Sequence, residues 1–146
     1  MQSEATLDAA SRTADRWSDV ADLVGRIALA SLFLMSGADK LFIHTAETMK
    51  LMQAYHVPLA GLLIYPSGIF EVAAGLALAA GYRARPAALL LALYTALVSP
   101  IFHAFWSAPP DQALFQMLFF TKNVAIFGGL LHVVGRGTGR FALRRE

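Results

Sequence analysis

Four apolar stretches, roughly 23–42, 59–82, 86–106 and 113–134, limit what this chain can fold into. Each supplies the ~20 residues that an α-helix needs to cross ~30 Å of hydrocarbon at ~1.5 Å per residue. They are apolar nearly all round, whereas a core helix of a soluble protein keeps a polar face. Charged residues make up 15% of the 146 positions and hydrophobic ones 57%. An ordinary soluble domain carries about 25% charged residues, so the deficit is large. The predicted fold class is all-α: an integral membrane four-helix up-down bundle, with the lipid bilayer as its first partner.

The flanks divide the rest of the chain. Residues 1–22 hold Glu4, Asp8, Asp15, Asp19 and Asp22 and no basic run before an apolar core, so they do not read as a cleavable signal peptide. Leu7, Ala10, Ala14, Trp17 and Ala21 recur at helical steps, which predicts an amphipathic helix at the interface, the alternative being a disordered acidic tail. Residues 23–134 form the transmembrane domain and 135–146 a basic tail. Between spans one and two, the run 46–56 predicts a surface helix using Met49, Leu51, Met52 and Tyr55.

Four spans place both termini on one side, with Arg12, Arg16, Arg83, Arg85, Arg136, Arg140, Arg144 and Arg145. The other side holds Lys40 and Lys50. That bias predicts a multi-pass protein of the inner (plasma) membrane with both termini cytoplasmic. It also explains the pI near 9.2 without a nucleic-acid partner, because the basic residues sit at helix ends. There is no cysteine, which excludes thiolate nucleophiles, disulfide exchange and sulfur-ligated clusters within the chain.

Charges at bilayer depth cost about 2.5–3.5 kcal/mol each on insertion scales, so each needs a reason. In the first span Arg26, Ala30, Phe33, Gly37 and Lys40 share one face. Glu71 lies about 18 Å into the second span and Lys122-Asn123 about 13 Å into the fourth. The similar depths predict a buried Glu71–Lys122 ion pair, with Asn123 adding hydrogen bonds. Arg26 can instead snorkel to headgroups or reach inward toward Glu71. Ser99, His103 and Trp106 gather toward the outer end of the third span. No histidine spacing resembles a metal site, and no motif binds haem, flavin or an iron–sulfur cluster.

Several ordered segments resemble the DoxX family, in its short bacterial four-helix members. They are Arg26, then Phe33-Leu34-Met35-Ser36-Gly37-Ala38-Asp39-Lys40-Leu41, Met52, Val57-Pro58, Glu71-Val72-Ala73-Ala74-Gly75, Gly81-Tyr82-Arg83, His103-Ala104-Phe105-Trp106 and Lys122-Asn123-Val124-Ala125-Ile126-Phe127-Gly128-Gly129. The resemblance implies a membrane subunit associated with quinone-linked oxidation, with a redox partner subunit supplying the electron-transfer centre. It marks Arg26, Lys40, Glu71, His103, Trp106, Lys122 and Asn123 as the candidate ligand-binding set, with quinone as the implied ligand. No catalytic residue is singled out, and whether the chain is itself an enzyme stays open. Two other readings remain beside this one. One is a small-molecule binding or transport protein, which with four helices calls for a homo-oligomer; the other is a structural subunit whose buried charges only fix helix register.

Overall fold

Inside a bilayer a chain has no water to satisfy its peptide groups, so apolar runs of this length wind into helices. The computed structural model describes residues 2–143, with side chains from residue 16 onward. Helix α1 spans Gln2–Ala38 and passes into a π-helical turn at Asp39–Ile43; α2 follows at Thr45–Ala54. Then come α3 at Ala60–Ala80, α4 at Ala84–Phe102, a 3-10 turn at Phe105–Ser107 and α5 at Pro110–Arg136. No strand occurs among the described residues. Four of these helical segments are long and apolar enough to cross a membrane: Arg16–Ile43, Ala60–Ala80, Ala84–Ser107 and Pro110–Arg136.

The connections are set by local chemistry. Helix α3 ends in a Schellman motif, in which Tyr82 N donates to Ala77 O (2.9 Å) and Gly81 N to Leu78 O (3.2 Å). Gly81 occupies the left-handed position with φ +68°, where a Cβ would be disfavoured. Pro110 opens α5 at its first position, where the missing N–H costs nothing. Helix α4 stops at Phe102, short of the predicted end at 106, because His103 leaves helical backbone geometry.

The four long helices form an antiparallel ring in which α1 packs on α3, α3 on α4, α4 on α5 and α5 on α1. Helices α3 and α5 lie diagonally and their backbones do not come together. The largest core cluster joins Ala30 and Phe33 of α1 to Ala74, Leu78, Ala88, Leu91, Leu130 and Val133. A second cluster of Met52, Ala60 and Ile64, with Met49, Val57 and Phe102 against it, seats α2 over the far end of the ring. Leu51 of α2 stays exposed.

Two features mark the end that carries both termini. Helix α1 runs unbroken from Gln2, so the expected N-terminal helix continues directly into the first span; the predicted amphipathic side chains before Arg16 lie outside the described ones. Residues 137–143 fold back across the bundle as a strap, and Leu143 N donates to Ala80 O (3.0 Å). Arg144 and Arg145 of the basic tail lie outside the described residues.

Candidate functional site

The predicted polar residues do not form one site. They fall into four places along the bundle. The first is an ionic cluster between α1, α3 and α4, where Lys40 Nζ lies 2.5 Å from Glu71 Oε1 and donates to the Tyr94 hydroxyl at 3.1 Å. The side chains are 17% and 3% exposed, so the pair is shielded from solvent on the Glu71 side. Lys40 also lies 5.6 Å from the centroid of the Tyr94 ring, and Phe70 packs on that ring at 5.4 Å. Glu71 Oε2 is buried with no hydrogen-bond partner among the described residues.

This corrects the predicted pairing of Glu71 with Lys122. Glu71 sits on α3, and α5 is its diagonal neighbour, so Lys122 approaches from the wrong side of the ring. Lys122 is exposed on the lipid-facing side, with its Nζ 4.7 Å from the centre of the Phe119 ring. The true partner could have been found from side-chain lean. Side chains on a helix tilt toward its N-terminus. Because α1 and α3 are antiparallel, Lys40 leans inward from the α2 end while Glu71 leans outward to meet it. The π-helical turn that carries Lys40 packs directly on α3, and such turns recur at functional sites. Tyr94 escaped the sequence reading because it lies in an apolar run. Its signal was depth, since it follows the α3–α4 turn by about as many residues as Glu71 precedes it.

The second place is a cleft of ≈250 Å³ between α4 and α5, lined by Thr95, Ala96, Ser99, Pro100, Phe120, Asn123, Val124 and Phe127. Asn123 Nδ2 donates to Ser99 Oγ at 3.0 Å, and Ser99 Oγ donates in turn to the Thr95 carbonyl. An amide carries two N–H donors and a carbonyl acceptor, so Asn123 retains one N–H and its oxygen for a further partner. Apart from Thr95, Ser99 and Asn123 the cleft is lined by apolar side chains, and it lies between two helices long and apolar enough to span a membrane.

The third place lies near the α2 end. His103 Nδ1 donates to Gln116 Oε1 at 2.9 Å, and Gln116 Nε2 donates to the Tyr55 hydroxyl at 3.1 Å. The His103 ring stacks on Phe119 at 5.2 Å. Sequence reading grouped Trp106 with His103, but the break at His103 turns Trp106 away. It is 60% exposed and packs edge-on against Phe105 and Phe120. Beyond the membrane-spanning segments at this end, the exposed His44 ring pairs with Asp39 at 2.6 Å. The hydrogen bond to Asp39 raises the imidazole pKa above its ordinary value near 6.5.

The fourth place is Arg26, at the end of the ring that carries the termini. Arg26 neither snorkels nor reaches Glu71. It is 1% exposed, and its Nη2 donates to the Phe141 carbonyl of the strap.

The comparisons with known proteins agree with the architecture. The DoxX family model matches residues 21–104, from α1 through α4. The chain is 30% identical over 124 residues to inner membrane protein YphA of Escherichia coli K12, covering 85% of this chain and 88% of the relative. It is 32% identical over 127 residues to inner membrane protein YqjF of the same organism, covering 87% and 92%. No solved structure matches. With the family model covering more than half of the chain and both relatives aligned across nearly all of it, the chain belongs to the DoxX family.

Proposed function

We propose that this is an inner-membrane, quinone-binding subunit that serves a separate redox partner, with both termini in the cytoplasm. One observation carries the reading: the cleft between the spanning helices α4 and α5 is lined mainly by apolar side chains and includes one amide, Asn123, with hydrogen-bonding capacity to spare. Lipophilic quinones reside in the bilayer, and such a cleft lets a ring enter sideways without crossing water. Its ≈250 Å³ falls below the ~300–1,000 Å³ of drug-sized pockets, which suits one substituted ring. Phe120 and Phe127 offer aromatic faces, and the second Asn123 N–H suits a quinone carbonyl. A bound quinone would supply two-electron, two-proton redox chemistry. The chain's own residues would hold and orient it, and electrons would come from the partner.

The test uses Trp106, whose ring lies 5.6 Å from that of Phe120 in the cleft wall. With Trp17→Phe removing the other tryptophan, a short-chain ubiquinone analogue should quench Trp106 fluorescence saturably in detergent. Asn123→Leu should weaken binding about three- to tenfold, the value of one hydrogen bond of ~1 kcal/mol. Quenching that never saturates, or that ignores Asn123→Leu, would count against the cleft as a quinone site.

A second reading rests on the ionic cluster. Lys40, Glu71 and Tyr94 are absent from the cleft lining and tie three helices together, as a structural register lock would. In this division of labour the cluster holds the frame and the cleft holds the ligand.

A further inference from the structure

A buried guanidinium normally has acceptors for its five N–H groups. Arg26 does not. Its Nε and Nη1 are buried and lack any acceptor among the described residues, and only Nη2 is engaged, by the Phe141 carbonyl. Asp22, one turn away, pairs instead with Arg136 Nε at 3.5 Å. Asp19 takes Arg140, accepting from its backbone N at 3.0 Å and lying 3.8 Å from its Nε. Among the described residues, Asp22 and Asp19 thus lie within ion-pair distance of Arg136 and Arg140, and no carboxylate lies that close to Arg26, the most buried of the three arginines.

The strap is what covers it. Thr138 is 2% exposed, and Ala142 packs so closely on Gly81 that a Cβ there would fall 2.6 Å from the Ala142 Cβ. The same Cβ would collide with Arg26 Nη1, so Nη1 is pressed against the end of α3. The Nε–Nη2 edge is the one the strap closes. Beside it a polar recess of ≈410 Å³, lined by Ser18, Asp19, Asp22, Arg136, Gly139 and Arg140, opens to the outside.

We propose that Arg26 is an oxyanion site gated by the strap, in which the Phe141 carbonyl occupies the place of a ligand oxygen. A carboxylate or phosphate oxygen pair matches the guanidinium edge in a two-pronged geometry that a single carbonyl cannot reproduce. Binding would displace Phe141, satisfy Nε and Nη2 together, and release residues 137–143. The ligand chemistry is an oxyanion, from either a small soluble anion or a phospholipid headgroup at this face.

Because the chain has no cysteine, Thr138→Cys gives a single reporter of strap position. Its maleimide labelling rate is measured in nanodiscs of zwitterionic phosphatidylcholine, with inorganic phosphate or with chloride at matched ionic strength. It is measured again without phosphate in nanodiscs containing phosphatidylglycerol. An oxyanion should raise the rate about tenfold, as expected when a ligand shifts a closed strap toward an open state by ~1.4 kcal/mol; chloride should not. A rise with phosphate assigns the ligand to a soluble oxyanion, and a rise only with phosphatidylglycerol assigns it to a headgroup. Arg26→Lys keeps the charge but not the forked edge, so the response should vanish in that background while circular dichroism reports intact helices. A rate unmoved by either oxyanion, or moved equally with Arg26→Lys, overturns the proposal.

Discussion

Lys40 carries a charge into the ring of helices, and its environment decides whether that charge is tolerated. Its Nζ sits 2.5 Å from Glu71 Oε1 and 3.1 Å from the Tyr94 hydroxyl. Pairs of this kind add little net stability over apolar replacements, but removing one partner strands the other. Lys40→Met should therefore cost about 3–5 kcal/mol, the penalty for breaking a buried pair. Lys40→Met combined with Glu71→Leu should recover most of it. Thermal unfolding in detergent, followed by helical circular dichroism, gives the comparison. A double variant no better than the single one would show that the pair contributes packing rather than charge neutralisation. The cost of charges at depth is legible from sequence, and it marked Lys40 and Glu71. Which cation meets Glu71 was not, because nominal depths ignore the lean of side chains along antiparallel helices.

At the scale of elements, α1 and α3 form the closest pair. A Cβ on Gly37 would lie 2.7 Å from the Gly68 carbonyl oxygen and 2.8 Å from Val72 Cγ2, so the backbones approach until only hydrogen fits between them. Close approach through small residues is a main source of helix association in lipid, where apolar burial supplies no drive. That contact also sets the distance at which Lys40 and Glu71 meet. Gly37→Ala should destabilise the bundle by about 1–3 kcal/mol, as overpacking does, read as a lowered midpoint of thermal or denaturant unfolding. Gly128, which lies in open space, should accept alanine without loss and serves as the control. The sequence placed Gly37 on the face it shares with Arg26 and Lys40. Its partner was not legible, because a small residue on a face does not say which helix lies against it.

The whole molecule leaves one helix less covered than the rest. Helix α5 exposes Leu114, Phe115, Met117, Leu118, Phe119, Val124 and Leu131, and Lys122 among them is exposed as well. An ammonium facing lipid with no carboxylate partner among the described residues costs about 2.5–3.5 kcal/mol on insertion scales, reduced by its contact with Phe119. Lys122→Leu should therefore raise the unfolding midpoint of the isolated protein in nanodiscs. If Lys122 were instead compensated in the folded monomer, the substitution would lower it.

The sequence by itself determined the class of the molecule. Backbone groups in hydrocarbon have no other means of satisfaction, so four apolar runs of this length become four spanning helices in alternating directions. It also made the polar residues within the spans conspicuous, since each charge at depth stands against an apolar background. Only the tertiary structure decided which of them meet. Ring order places α3 and α5 on a diagonal and separates Glu71 from Lys122. The break at His103 separates Trp106 from its predicted neighbour. The strap covers Arg26, and its seven residues, mostly small with one arginine, Phe141 and Leu143, are too few to show a periodicity from which its docking could be read. Pairings across helices depend on packing order and side-chain lean, neither of which is written along a single chain.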